Sequence, residues 1–98
     1  MAEYHITRKA VQDLTAIWEY TLNTWSESQA DIYYHDLVNT FNEIASRPIL
    51  FDREYAEIRN GLYGRKCNRH IVFYKIAEDD VVEIVRILHE RMDTRRWL

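Results

Sequence analysis

Apolar residues recur at intervals of three and four along two stretches in the first half of the chain, which predicts two amphipathic helices. The stripes comprise Ala10, Val11, Leu14, Ile17, Trp18, Leu22 and Trp25, and then Ala30, Tyr33, Tyr34, Leu37, Val38, Phe41, Ile44 and Ala45. Thr7 suits the N-cap of the first helix, and Ser26 with Gln29 matches a capping box for the second. The second helix should end before Pro48, because the residue preceding a proline disfavours helical geometry. The short connection between the two helices predicts a helical hairpin.

Period-two alternation predicts four strands around this hairpin. The segments are EYHI at the start, then LYGRKCN, HIVFYKIA and VVEIVRILH. The last two, separated by the turn EDD, should pair in antiparallel fashion, and Gly64 marks a bulge or a close approach of two segments. Residues 48–60 lack periodicity and are predicted to form a loop. The element order is therefore β-α-α-β-β-β, which predicts one α+β domain over residues 1–98 with the helical hairpin packed on one face of a mainly antiparallel sheet.

Both faces of the two strongest strands are apolar. One strand carries His70, Val72, Tyr74 and Ile76 on one face and Ile71 and Phe73 on the other. On the next strand, strict alternation puts Val82, Ile84 and Leu88 opposite Val81, Val85 and Ile87. A sheet with one solvated face would instead alternate apolar and polar residues. The face away from the helices therefore needs a cover, which is either the 48–60 loop with the apolar pair Trp97-Leu98, or a partner protein.

The composition fits a globular protein of a reducing compartment. The 98 residues are 47% hydrophobic with two Gly and one Pro, and the single Cys67 cannot form an internal disulfide. The opening MAEYHITRKA lacks the apolar run of a secretory signal, and no stretch reaches the roughly 20 apolar residues of a membrane span. We therefore expect a cytoplasmic protein with no membrane partner.

The charge distribution argues against general nucleic-acid binding. The net charge is −3, and residues 1–52 hold three basic and eight acidic side chains. Residues 53–75 hold six basic and two acidic side chains, so this strip is cationic. Proteins that grip nucleic acid usually carry an overall basic excess, so the strip suits a protein partner better, although it could hold a short RNA. Arg8 and Lys9 oppose the dipole of the first helix without an evident structural role, which makes them candidates for a contact.

The chain resembles a known family, and the clearest signal lies near its end. The residues that carry the resemblance are Val85-Arg86-Ile87-Leu88-His89, Met92-Asp93 and Arg96-Trp97-Leu98, together with the strand pair GLYGRKCNRHIVFYKI. With the element order above, they resemble the toxin component of ParE-type toxin–antitoxin pairs, in the RelE/ParE superfamily. Trp97 departs from the Arg-His-Leu ending that members often have.

The resemblance implies a bacterial toxin that poisons DNA gyrase by binding, without a catalytic site or cofactor of its own. It also implies a hetero-oligomer with a ParD-like antitoxin, whose C-terminal segment would cover the apolar sheet face, and no sequence-specific DNA binding. The candidates for the gyrase contact are Trp18, Trp25, Arg91, Arg95, Arg96 and Trp97, with core packing as the competing interpretation of the first two. The candidates for antitoxin binding are Ile71, Phe73, Val81, Val85, Ile87, Arg65, Lys66 and Arg69.

Two alternatives stay open. One is a family member that has lost toxicity and persists bound to its antitoxin. The other is a ribosome-dependent mRNA endoribonuclease, as in the RelE branch, which needs a proton acceptor and cations at the scissile phosphate. Its residues would be His89, Arg86, Arg65 and Arg69. The competing structural roles are an Arg86–Asp93 pair and a bond from His89 to the backbone.

We expect no metal site. The four histidines are scattered along the chain, at His5, His35, His70 and His89. No pair of them has the short spacing that zinc sites favour. Cys67 stands among three cations that could lower the pKa of its thiol, but an unreactive strand cysteine is the simpler interpretation.

Overall fold

The computed structural model describes residues 3–49 and 52–98. The elements are β1 (Tyr4–Ile6), α1 (Arg8–Thr24), α2 (Glu27–Ser46), β2 (Arg53–Glu54), β3 (Tyr63–Cys67), β4 (His70–Ile76), β5 (Val82–His89) and α3 (Thr94–Trp97). The five strands form one sheet in the order β1-β5-β4-β3-β2, with β1 parallel to β5 and the remaining pairs antiparallel. The predicted α+β architecture, with a helical hairpin on a mainly antiparallel sheet, is confirmed.

Both helices begin where the capping residues predict. The Thr7 hydroxyl accepts a hydrogen bond from the Ala10 N–H at 3.1 Å, and the Ser26 hydroxyl accepts one from the Gln29 N–H at 3.0 Å. The second helix ends at Ser46, before the proline. These local rules therefore place the hairpin correctly, and its apolar side covers one face of the sheet with Leu37, Phe41 and Ile44 in the shared core.

A bulge in β5 changes which of its residues meet the helices. The pairing with β4 shifts between Phe73 and Tyr74, which lie opposite Arg86 and Ile84, so that Val85 is the extra residue. Ile87 consequently joins Val82 and Ile84 in the core beneath the helices, and Leu88 turns to the opposite face. The prediction that Leu88 shares a face with Val82 and Ile84, with Ile87 opposite, is wrong because one inserted residue inverts the alternation beyond it.

Gly64 marks a close approach, one of the two roles predicted for it. A Cβ atom at this position would lie 2.7 Å from Tyr55 Cε1 and 2.9 Å from Ile71 Cγ2. The bulge predicted as its alternative lies instead in β5. The absence of a side chain at this point of β3 leaves room for the Tyr55 ring, which packs edge to face with Phe73 at 5.1 Å between ring centroids.

The sheet face away from the helices is covered by the chain itself. Its buried residues are Tyr55, Leu62, Phe73 and Leu88, with Ile58, Ile71, Met92 and Leu98 packed against them. We call the covering residues, Tyr55, Ile58, Leu62, Met92 and Leu98, the roof. Of the two covers considered, the loop and tail therefore provide this one, although the Trp97 side chain is 45% exposed and takes no part in it.

Three of the residues predicted to bind an antitoxin are buried. Phe73 is 0% exposed, Val85 is 9% exposed and Ile87 is 2% exposed. The expectation that these three form an open apolar face is wrong, because the roof covers Phe73, the bulge turns Ile87 under the helices, and Val85 is buried at the bulge.

Replacing Phe73 with Ala should lower the free energy of unfolding by about 3–5 kcal/mol, since it removes a fully buried ring from the core that the roof covers. Ile71→Ala, on the same face but only half-buried, is the matched control and should cost less than half as much. Urea unfolding of both variants measures the difference. Equally small losses would contradict a packed roof.

Candidate functional site

A cleft of about 580 Å³ opens between the helical hairpin and the ends of β4 and β5. Its lining is mainly apolar and consists of Ala16, Ile17, Tyr20, Thr21, Trp25, Gln29, Tyr33, Arg69, His70 and His89. Trp25 is 74% exposed at its mouth. Although Trp25 follows Trp18 by seven residues, α1 ends at Thr24, so Trp25 is the C-cap and leaves the apolar stripe. Core packing is therefore wrong for Trp25, while Trp18 is half-buried on α1.

Two histidines and a tyrosine form the polar wall of the cleft. The Tyr33 hydroxyl accepts the Arg69 N–H at 3.2 Å and lies 3.1 Å from His70 Nδ1, to which it can donate. The rings of His70 and His89 meet edge to face, with centroids 5.3 Å apart. His89 Nδ1 accepts the Arg91 N–H at 3.1 Å, which confirms the predicted bond to the backbone.

His70 is neutral at physiological pH. Burial, reinforced by the neighbouring His89, lowers the pKa of His70 to about 4. The Tyr33 oxygen accepts a hydrogen bond from the Arg69 N–H, and its own O–H can donate to Nδ1 of the neutral imidazole. His70 therefore acts as a hydrogen-bond acceptor in a packed wall and is unsuited to donate a proton to a leaving group near pH 7.

The four residues proposed for RNA cleavage do not converge. Only Arg69 and His89 line the cleft. Arg65 lies in a separate depression beside Asp52, and Arg86 lines a third pocket near the tail. The fold therefore places these side chains in three separate pockets, and they form no shared site.

Arg65 is held by a buried carboxylate. Its Nε and Nη2 atoms donate to Asp52 Oδ1 at 2.6 Å and Oδ2 at 2.9 Å, and the Asp52 side chain is only 2% exposed. The Tyr74 hydroxyl donates to the same carboxylate and accepts the Ile49 N–H at 2.8 Å. This network ties the segment after α2 to the sheet. It also raises the pKa of Arg65, chiefly through the hydrogen bond to Asp52.

Arg86 is paired in the same way, with Asp13 of α1. Its Nε and Nη2 atoms donate to Asp13 Oδ2 at 2.8 Å and Oδ1 at 3.0 Å. The predicted Arg86–Asp93 pair is wrong, because Asp93 caps α3 and accepts the Arg95 N–H at 3.1 Å. Asp13 and Asp52 were not singled out from the sequence, since nothing local connects either carboxylate to the arginine that it neutralises.

The remaining antitoxin candidates lie at the rim of the sheet. Lys66 and Arg69 flank the β3–β4 turn and are well exposed, at 2.9 Å and 3.9 Å from the Glu90 carboxylate. The hydrogen bond from Lys66 lowers the pKa of Glu90. Ile71 and Val81 are half-buried. These four residues remain candidates for antitoxin binding. The cations of the tail remain candidates for the gyrase contact.

The tail presents its cations to water. Arg91, Arg95 and Arg96 are exposed, and none of them is within 4.0 Å of a carboxylate in the described part of the chain. The Arg96 guanidinium lies 5.8 Å from the centre of the exposed Trp97 ring. The main chain beneath is fixed, because Arg86 Nη1 donates to the Trp97 carbonyl at 2.9 Å.

Neither a metal centre nor a reactive thiol emerges from residues 3–49 and 52–98. No group of three or more His, Cys, Asp and Glu side chains there could hold a metal ion. Burial raises the pKa of the Cys67 thiol, so the suggested lowering by its cationic neighbours is wrong.

Among the helices of residues 3–49 and 52–98, none combines the length and apolar character needed to cross a membrane.

Comparison with known proteins identifies the family. The family described as "ParE toxin of type II toxin-antitoxin system, parDE" matches residues 4–94. The chain belongs to this family. Toxin ParE1 of Caulobacter vibrioides is 34% identical over 98 residues, which cover 100% of this chain and 99% of the relative. Toxin ParE1 of Mycobacterium tuberculosis is 31% identical over 97 residues, with 99% and 98% covered.

A third relative and a solved structure agree. Toxin ParE of Escherichia coli is 31% identical over 93 residues, which cover 95% of this chain and 89% of the relative. A chain of the chromosomal ParDE TA system from P. aeruginosa superimposes with a TM-score of 0.78 at 19% identity, covering 91% of this chain and 96% of that chain. The structural match supports the ParE fold, and the resemblance that the sequence predicted is confirmed.

The low pKa of His70 predicts a pH-dependent stability. Well above pH 6.5 the histidine is neutral in both states. As the pH falls through 6.5 towards about 4, His70 takes up a proton in the unfolded chain but stays neutral in the folded chain. The free energy of unfolding should therefore fall across this window, by up to about 1.4 kcal/mol per pH unit. His70→Asn keeps an acceptor near Nδ1 but cannot titrate, so its profile should be flatter. His35→Asn, at an exposed histidine of α2, should keep the wild-type slope. Urea unfolding across the window tests this, and parallel wild-type and His70→Asn profiles would contradict it.

Proposed function

We propose that this ParE-family chain poisons DNA gyrase by binding it, and that a ParD-like antitoxin neutralises the chain in a hetero-oligomer. The site of action would be the cytoplasm, where gyrase holds DNA. The observation that carries the proposal is the internal pairing of Arg65 with Asp52 and of Arg86 with Asp13. It favours a binding mechanism over the RelE-like alternative.

The two ion pairs disfavour RNA cleavage for an electrostatic reason. Stabilising a phosphorane requires cations that are aimed at the developing charge. An arginine bound bidentately to a carboxylate is neutralised and fixed, and removing it from a partly buried pair costs several kcal/mol. Arg69 with His89 would be left, alongside a histidine that stays neutral. That set lacks the positive charge of a ribonuclease site.

The gyrase contact is best assigned to the exposed aromatic and cationic residues. Trp25 and Tyr20 project at the mouth of the cleft, and Trp97 lies beside the arginines of the tail. Large aromatic side chains and arginine dominate the binding energy of protein interfaces. Point substitutions suit this surface better than a deletion of the tail, because Leu98 belongs to the roof.

The antitoxin is best assigned to the rim around the β3–β4 turn. With the central sheet face under the roof, the cations Lys66 and Arg69 and the apolar Ile71 remain accessible to a partner. A partly acidic, amphipathic antitoxin segment would complement them, and Glu90 already shows that carboxylates bind there. A segment that folds on binding can follow such a rim over a large area.

In a supercoiling assay with gyrase, ATP and plasmid, the purified wild-type chain should trap cleaved plasmid. In a second assay, with mRNA on ribosomes, the chain should leave the message intact. Trp25→Ala should weaken trapping about 30-fold, as expected for loss of an interface anchor worth about 2 kcal/mol. Ile32→Ala, an exposed residue of α2 outside the cleft, is the control and should trap normally. Codon-edge cuts in the message would overturn the proposal. Inactivity in both assays with antitoxin binding retained would identify a non-toxic member.

Replacing Lys66 and Arg69 together with Ala should weaken binding of the cognate antitoxin about tenfold at low salt, and the difference should shrink as salt screens the charges. The control is the double substitution of Arg53 and Lys75 with Ala, which removes two exposed cations elsewhere on the sheet. Isothermal titration calorimetry at two salt concentrations measures both. Equal losses in the two variants would contradict a specific role for the β3–β4 turn.

A further inference from the structure

The third pocket, of about 360 Å³, lies where the start of α1 meets the tail. It is lined by Thr7, Arg8, Lys9, Arg59, Val85, Arg86, Trp97 and Leu98, and we call it the tail pocket. Four of its eight lining residues are cations, on a chain whose net charge is −3. Such a local excess of positive charge needs an explanation.

Two of the four cations, Arg8 and Lys9, have no ion-pair partner among the described residues. Arg86 is neutralised by Asp13. Arg8 and Lys9 form no ion pair within 4.0 Å with any carboxylate of residues 3–49 and 52–98, whereas Arg59 donates to a main-chain oxygen of Leu98 at 2.9 Å. Holding like charges around one hollow is unfavourable unless an anion binds there. Arg8 and Lys9 also stand in the first turn of α1, where cations oppose the helix dipole and cannot be explained by helix stability.

The wall beside these cations is aromatic and fixed. Arg59 Nη2 donates to a main-chain oxygen of Leu98 at 2.9 Å, and Arg86 Nη1 donates to the Trp97 carbonyl at 2.9 Å. These bonds hold the tail in place while the Trp97 ring stays 45% exposed. Outside the pocket, Arg96 continues the positive surface along α3.

We propose that the tail pocket binds the phosphate groups of a nucleic-acid strand without reading its sequence, with the Trp97 ring stacking on a base. Several cations in a row fit a repeating anion, and an aromatic face beside them is how proteins hold single strands of any sequence. An acidic peptide would use the cations but would give the exposed indole no matching π-face. The inference deepens the proposed function, since the strand would be the DNA that gyrase holds, but binding itself does not need gyrase.

Fluorescence anisotropy with a short labelled single-stranded oligodeoxynucleotide tests the proposal on the full chain. Three phosphate contacts should give a slope of log K against log salt of about −2, at about −0.7 for each contact on a single strand. Replacing Arg8 and Lys9 together with Ala should reduce that slope by about 1.4. Trp97→Ala should weaken binding about tenfold and leave the slope unchanged, because stacking releases no counterions.

The double substitution of Arg53 and Lys75 with Ala changes the net charge equally but lies outside the tail pocket, so its slope should match the wild type. Circular dichroism should report intact helices in the Arg8 and Lys9 variant, since the change relieves an unfavourable dipole interaction. A wild-type slope near zero, or the same loss in both double variants, would overturn the proposal. Displacement of the strand by ATP as readily as by unlabelled oligonucleotide would overturn it too, in favour of a free-nucleotide site.

The result is separable from the gyrase assay. A wild-type chain that traps cleaved plasmid but binds no oligonucleotide refutes the tail pocket and leaves the proposed function intact. A chain that binds the strand through Arg8 and Lys9 but never traps plasmid refutes gyrase poisoning and leaves the pocket intact.

Discussion

The pairing of Arg86 with Asp13 connects three parts of the fold, namely α1, β5 and the tail. β1 covers β5 only as far as Ile84, and beyond it the same Asp13 carboxylate accepts the Ile87 N–H at 3.0 Å. The arginine also holds the Trp97 carbonyl, so the helix, the strand and the tail share one network. Partly buried charges are tolerated only when they are paired. The paired charges therefore hold α1 against β5, and they hold the end of α3 beside the same strand.

The same rule operates at the other edge of the sheet and has a functional consequence. Asp52 binds Arg65 and Tyr74, which fastens the segment after α2 onto β3 and β4. Two of the three arginines predicted to serve RNA cleavage, Arg65 and Arg86, are therefore paired inside the molecule. A fold does not determine a function. In this chain, however, Arg65 and Arg86 on the strands stabilise the fold through their carboxylate partners. The exposed cations of the β3–β4 turn, the tail and the tail pocket stay accessible to partners.

Local patterns predicted the helical hairpin, its caps and the β4–β5 pairing, because each depends on residues a few positions apart. The errors share a different cause. Val85 forms a bulge that strict alternation does not predict. Ile87 and Leu88 therefore lie on the faces opposite to those predicted. Arg86 pairs with a residue 73 positions away instead of with nearby Asp93. Both outcomes depend on how separate elements pack together, which periodicity does not encode. The antitoxin and gyrase surfaces were the least predictable, since exposure follows from the same packing.

The roof gives the tail a double role that explains how a short basic segment can act as a defined surface. Leu98 packs against the core that the roof covers, and Arg59 and Arg86 bind the main-chain oxygens of Leu98 and Trp97 at the end of α3. The arginines of α3 and the exposed Trp97 are therefore presented from an anchored backbone, and a partner need not order a loose end in order to bind them. Preorganisation of this kind lowers the entropic cost of association. A partner that displaced the tail would have to expose Phe73 and Leu88 to water, so the tail can be contacted far more readily than it can be removed.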